Sequence, residues 1–438
     1  MKDQRGDAFS SGTPQSHAAY ERALAALNIY RGDAVAIIDE ALSADPDFVM
    51  GHVLRAEVLI TMWERSVLSK VRDSLERLNA LQSQCNDRER AHTRAIARWA
   101  TGDWDGMRLT FERLLSDHPR DLLALQISHL ADFFHGDRDN LRARPERVLP
   151  QWSAADPGYG LVLGMHAFGL EECGQYAQAE EAGRRALDLQ PEDCWAHHAV
   201  AHVLEMQARQ AEGIAFMESR KAYWSQADNG FAFHNWWHTA LFHLDLGRPE
   251  DALALYDQSI RPEPIGVQLM MLDATALLWR LHLNGNDGGA RWTELADTYE
   301  QSGEAGFYIF NDMHAMAAYA ATGRTRAAAE LLQAIQAAAT GDDTNARMTR
   351  EVGLPIVKAI DSFGQEEYAD AVSLLLPVRY KAHAFGGSHA QRDLVHRTLI
   401  EAALRSGDRA MARALTQERT AQKPFCSFSW GLRQRATR

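Results

Sequence analysis

The chain has 438 residues, 46% hydrophobic and 24% charged, with a formal net charge of −13. That length exceeds the usual single compact core, so two domains or an extended repeat array is expected. The acidic balance argues against general nucleic-acid binding, which needs a basic stripe, and no apolar run approaches the roughly 20 residues that span a bilayer.

Residues 1–17 are polar and rich in Ser, Gly and Gln, and are expected to be disordered or loosely draped. Residues 1–7 also lack the apolar core of a secretory signal. Cys85, Cys173, Cys194 and Cys426 have no CxxC spacing, so they read as reduced thiols, with Cys173 and Cys194 packed within helices. Together these point to a cytoplasmic chain.

From 18 to 420 the strand signal is almost nil, and alanine-rich helical segments recur between turn signals. Gly32-Asp33 leads to Asp45-Pro46, Gly102-Asp103-Trp104 to His118-Pro119, and Gly136-Asp137 less cleanly to Pro150. The clearest unit spans 159–191: a helix over 161–172, the turn Gly174-Gln175-Tyr176, then a helix carrying Ala179, Ala182 and Ala186 that stops at Pro191. Small residues at these spacings let antiparallel helices approach closely; Gly supplies the turn and Pro the stop. Gly247-Arg248-Pro249, Gly285, Gly323-Arg324 and Gly407-Asp408 continue the series, and 340–380 holds a helical pair with an irregular junction. The pattern is that of a tetratricopeptide repeat. It predicts an all-α, right-handed α-solenoid of about ten helix pairs in one domain, free to curl toward a ring. Residues 421–438, with Arg433, Arg435 and Arg438, read as a frayed C-terminal tail.

His198 and His202 are four residues apart, as are His234 and His238 within the string His234-Asn235-Trp236-Trp237-His238. Such pairs share a helix face. In repeats of this kind the first helix of each pair lines the concave groove. Placing Ala208 and Gly247 at interhelical turns puts His198, His202, Glu205, His234, Trp237 and His238 on that groove. The same register puts His92 and His314 there, leaves Asp273 and Asp312 borderline, and sends His129 and His166 into the core. Packing of the solenoid is the competing reading for all of them, and the stronger one for Trp236.

Imidazole can bind metal, move protons or donate hydrogen bonds. A zinc or other divalent-metal site would use His198, His202, His234 and His238, with Glu205 or an Asp as oxygen ligand. A metal-free site would use His198 or His234 for proton transfer, with Glu205, Asp273 or Asp312 orienting the ring and Trp237 excluding water. Asn235 could cap a helix or bond a ligand. The HExxH string of zinc hydrolases is absent; there is also no Gly-x-Ser-x-Gly elbow and no cysteine placed beside a histidine, so a covalent nucleophile is not indicated. A second place of interest is Gly386-Gly387-Ser388-His389-Ala390-Gln391-Arg392. Ser388 and Gln391 form a capping-box pattern, and the preceding glycines with His389 and Arg392 could bind an anion; a tight inter-repeat turn is the alternative.

These segments also carry a resemblance. Residues 164–172, Trp195-Ala196 with His198 and residues 202–206, the HNWWH string, Phe310-Asn311-Asp312 with His314, and residues 386–393 together resemble the tetratricopeptide repeat protein 38 family over roughly 20–430. HNWWH is the most specific part. The resemblance implies an all-helical solenoid and brings no general activity with it.

Two functions follow as expectations. One is a His/Trp/Asp-lined concave pocket for a small polar or anionic ligand, with histidine acid/base or histidine–metal chemistry, non-covalent hydrolysis included. The other is an adaptor holding a peptide or protein in its groove. A homodimer is compatible with either.

Overall fold

The computed structural model describes residues 1–438. The chain is all-α, with only two isolated β-bridges, Lys2 with Ala8 and Arg31 with Asn229. No helix is long and apolar enough to cross a membrane. Successive helices pack on their neighbours as hairpins, the solenoid type of architecture.

The Gly-Asp signals have a specific mechanism. Gly32, Gly102, Gly136 and Gly407 all take positive φ, between +62° and +81°. The aspartate that follows each then caps the next helix: Asp33 accepts from Ala36 N, Asp103 from Gly106 N, Asp137 from Asn140 N and Asp408 from Met411 N. One residue thus ends a helix and the next begins another, each cap worth about 1 kcal/mol. Gln175, Arg248 and Arg324 follow the glycine in other repeats and make no side-chain cap. The turn assigned to Ala208 is present, with a non-glycine residue at φ +57°. The irregular junction in 340–380 is a π turn, Thr349–Gly353, running into Leu354–Gly364. Pro355 sits in the first turn of that helix and has no N–H to donate.

Where one domain was expected, the chain forms two compact units. Unit one comprises residues 1–200 with 222–231, and unit two 201–221 with 232–438. The helix Cys194–Met206 contributes its beginning to the first and its end to the second.

In unit one the N-terminal segment is packed rather than loose. Phe9 is buried, stacked on His17 at 4.3 Å and edge-on to Tyr20 at 5.2 Å. Arg5 is buried against Glu21 at 2.8 Å, and a helix begins at Pro14 behind a Thr13–Ser16 capping box. A single apolar anchor with a buried ion pair outweighs the polar composition that suggested disorder.

In unit two the array returns on itself. The helix His389–Arg405 packs on Gln268–Leu283, where Trp279 Nε1 donates to Thr398 Oγ1 at 2.9 Å. Arg397 pairs with Asp245 at 2.9 Å, and Lys423 approaches Glu205 at 3.8 Å. The expected tail is instead a helix, Ser427–Thr437, packed on Arg409–Gln422, with Arg435 bonded to Glu401 at 2.9 and 3.0 Å.

Candidate functional site

The end of the helix Cys194–Met206 carries His202 and Glu205, the helix Ala232–Asp245 carries the HNWWH string, and the helix Gln268–Leu283 carries Asp273. His202, His238, Trp237, Asn235 and Asp273 are fully buried, with Glu205 and His234 at 5% and 6% exposure. The i, i+4 spacing does its expected work. His234 and His238 lie 4.9 Å apart by ring centroid, and His202 meets His238 at 4.4 Å from the neighbouring helix.

Each member of the HNWWH pair has a carboxylate. His234 Nδ1 lies 2.6 Å from Asp273 Oδ2, and His238 Nδ1 lies 3.4 Å from Glu205 Oε2. Gln391 Nε2 donates to the other Asp273 oxygen at 3.4 Å, so the turn at 386–391 supports the His234 partner. Trp237 stacks on His234 at 5.4 Å, and the Arg280 guanidinium lies 5.3 Å from the Trp237 ring.

Electrostatics follow from burial and neighbours. Burial, then the charges of His238 and His234, push the His202 imidazole well below its ordinary value. Burial also lowers His238 against the pull of Glu205. Burial opposes ionisation of Glu205, but its hydrogen bond with His238 and the charges of Lys423 and Arg280 hold it below the usual carboxylate value. Arg280, buried and facing Arg397, is brought down to about 10. The result is neutral imidazole at His202 and His238 beside ionised Glu205 at neutral pH.

The remaining predicted residues make the following contacts within their own units. His198 belongs to unit one, where its ring packs against Phe168 at 4.8 Å, Trp195 at 5.2 Å and Phe231 at 5.5 Å. His314 is fully buried, its Nδ1 on Phe310 O at 2.9 Å, and burial lowers it to about 4. Asp312 accepts from Gly306 N at 3.0 Å and ties down the preceding loop. Ser388 and Gln391 form the capping box, Gln391 N to Ser388 Oγ at 3.3 Å and Ser388 N to Gln391 Oε1 at 3.1 Å. Arg392 donates to Gly387 O, and His389 is half-buried. These contacts brace the 386–392 segment: Gly386 and Gly387 take φ +99° and +79°, and a Cβ on Gly387 would come within 2.5 Å of Phe310.

Register misplaced some histidines. His92 is fully buried between Glu57 at 2.8 Å and Asp121 at 2.9 Å, and His202, His238 and His314, given the same groove assignment, are buried as completely. His166 is half-buried rather than core, whereas His129 is in the core, edge-on to Trp195 at 5.2 Å. Trp236 packs under the Lys221 ammonium at 4.7 Å. Sequence reasoning missed Arg280 and Lys423. Arg280 lies two turns beyond Asp273 on the same helix face, a usable signal; Lys423 had none, because only the return of the C-terminal helices brings it to Glu205.

No protein-family model matches the chain. Among solved structures it is similar to a human IFIT1 dimer with m7Gppp-AAAA, at 13% identity over 98% of this chain and 95% of that one, with a TM-score of 0.44. It is also similar to an APC/C hetero-tetramer Cut9-Hcn1 (12% identity, 97% and 76% coverage, TM-score 0.40) and to yeast Tom70 (11%, 97% and 86%, TM-score 0.35). At such values the likeness does not bear on function.

Proposed function

We propose that unit two binds a small polar or anionic molecule at the histidine–carboxylate cluster, with the Asp273–His234 pair moving protons for it. The observation that carries this reading is the 2.6 Å contact between His234 Nδ1 and Asp273 Oδ2 in a buried setting, with Gln391 on the other carboxylate oxygen. A carboxylate on one ring nitrogen fixes the tautomer and orients the imidazole, the arrangement that histidine acid/base chemistry uses. Glu205 with His238 forms a second such pair, and Trp237 closes one side against water. The reaction class this suits is non-covalent acid/base chemistry. The chain is proposed to belong with the tetratricopeptide repeat protein 38 family on the strength of the HNWWH string, and to reside in the cytoplasm, in keeping with its four free cysteines.

A thermal-shift screen of small carboxylates and phosphates, acetate and inorganic phosphate among them, tests the reading. A compound should raise the melting temperature of the wild-type chain and fail to do so in His234→Ala and Asp273→Asn, both still helical. Equal shifts in wild type and variants would sink it.

The second reading is an adaptor for a peptide or protein partner, with a homodimer through the terminal repeats as its simplest case. The hairpin-repeat fold favours it, and on fold alone it has the broader support. Phe425 and Trp430, 82% and 44% exposed, offer apolar contact near the C-terminal end of the chain. A stoichiometric partner retained by His234→Ala and lost on Phe425→Ser with Trp430→Ser would establish this reading over the first.

A further inference from the structure

We infer that His202, His234 and His238 hold a divalent transition-metal ion of the zinc class, with Asp273 and Glu205 as the carboxylates behind them. The inference deepens the proposed ligand site and rests on reading that cluster as the functional part of unit two.

One ring nitrogen from each of the three lies within 4.8 Å of the others. Tetrahedral zinc, with nitrogens at about 2.0–2.1 Å, needs those nitrogens about 3.4 Å apart. The rings therefore have to draw together by at most about 1.5 Å, a matter of small side-chain rotations. The choice of nitrogen is already made on two rings. His234 Nδ1 is taken up with Asp273 and His238 Nδ1 faces Glu205, so Nε2 is the ligand on each. A metal-binding histidine held through its other nitrogen by a carboxylate is the usual outer arrangement of such sites, and here it occurs twice.

Chemistry of the donors selects the ion. Three imidazoles suit zinc, copper, nickel or cobalt, whereas magnesium and calcium require oxygen-rich shells. The three rings are buried and in contact, His202 with His238 at 4.4 Å and His234 with His238 at 4.9 Å, so little movement separates them from a shared ion. With three protein ligands, a tetrahedral ion keeps a fourth position for the small molecule.

The test uses the full chain, stripped with a chelator and titrated with Co2+ alone. One equivalent should bind with the visible absorption of tetrahedral Co2+, and Zn2+ should displace it. His202→Gln should abolish the band, and Asp273→Asn, which leaves all three imidazoles in place, should weaken binding about ten- to hundred-fold. His243→Gln, elsewhere on the HNWWH helix beside Asp251, should change nothing. Should His202→Gln fail to fold, Asp273→Asn and a Zn2+-induced rise in the wild-type melting temperature decide the matter. A wild-type chain that binds neither ion at micromolar concentration overturns the inference, as does an undiminished band in folded His202→Gln. The two readings separate cleanly. Metal uptake without any small-ligand shift leaves this inference standing and removes the ligand reading; a ligand shift that persists after chelation does the reverse.

Discussion

His92 in unit one and His238 in unit two are equally buried, yet their surroundings drive them to opposite charge states. Burial disfavours the His92 cation, but Glu57 and Asp121 flank it on both nitrogens and raise it to about 9. Asp121 also takes Arg88 at 2.6 Å and is held well below the usual carboxylate range despite its burial, while burial lifts Glu57 above it. His238 has one carboxylate at 3.4 Å and two other imidazoles as neighbours, so burial prevails and the ring stays neutral. A histidine whose two nitrogens are both spent on carboxylates is a structural cross-link. Burial alone does not distinguish them; the number of carboxylates set against the ring does.

The largest expected effect comes from breaking the cross-link. His92→Ala leaves Asp121 and Glu57 buried without their shared partner and should cost about 3–5 kcal/mol. His202→Ala removes a neutral ring, strands no buried charge and should cost about 1–3 kcal/mol. Urea unfolding of the two variants compares them directly. Equal losses would remove the distinction drawn between the two histidine environments.

The pH dependence of the melting temperature sharpens the same contrast. His92, raised to about 9 from an unfolded value near 6.5, binds its proton more tightly when folded. Its stabilisation is complete below about pH 6.5 and is lost as pH rises through about 9. His129 and His396, lowered mainly by burial to about 3 and about 4, act in the opposite direction. Their unfolded forms take up protons first, so stability falls as pH drops below about 6.5. The contribution of these three histidines should therefore be greatest near pH 6.5, and His92→Gln should flatten its alkaline limb while sparing the acidic one.

Smaller effects come from the turns that hold the two sites. Gly387→Ala forces a side chain into φ +79° and against Phe310, in the turn that bears Gln391; a loss of about 2 kcal/mol is expected by urea denaturation. The helix of His92 ends at Gly102 with φ +81°, and the helix of His202 at Ala208 with φ +57°. Exchanging these should have opposite signs: Gly102→Ala costs about 1 kcal/mol, and Ala208→Gly gains somewhat less, since glycine also frees the unfolded chain.

The repeat boundaries were legible because they depend on single residues with local rules. A glycine that can take positive φ, an aspartate that can cap and a proline that cannot donate act wherever they stand. The histidine pairs were legible for the same reason, since a spacing of four sets a helix face by itself. Groove or core was not. His92 shared a register with His198, His202 and His314, but what it faces is set by Glu57 and Asp121, on other helices and far away in the sequence. Nor did the polar composition of residues 1–17 reveal that Phe9 and Arg5 would dock them.

Local backbone chemistry thus determined where the helices begin, where they end and which side chains share a face. Only the tertiary structure decided that the array returns on itself within unit two, bringing Lys423 to Glu205 and Gln391 to Asp273. The physical reason is that small rotations between successive hairpins accumulate along the array. Each rotation is set by side-chain packing, and no short-range pattern in the sequence records their sum.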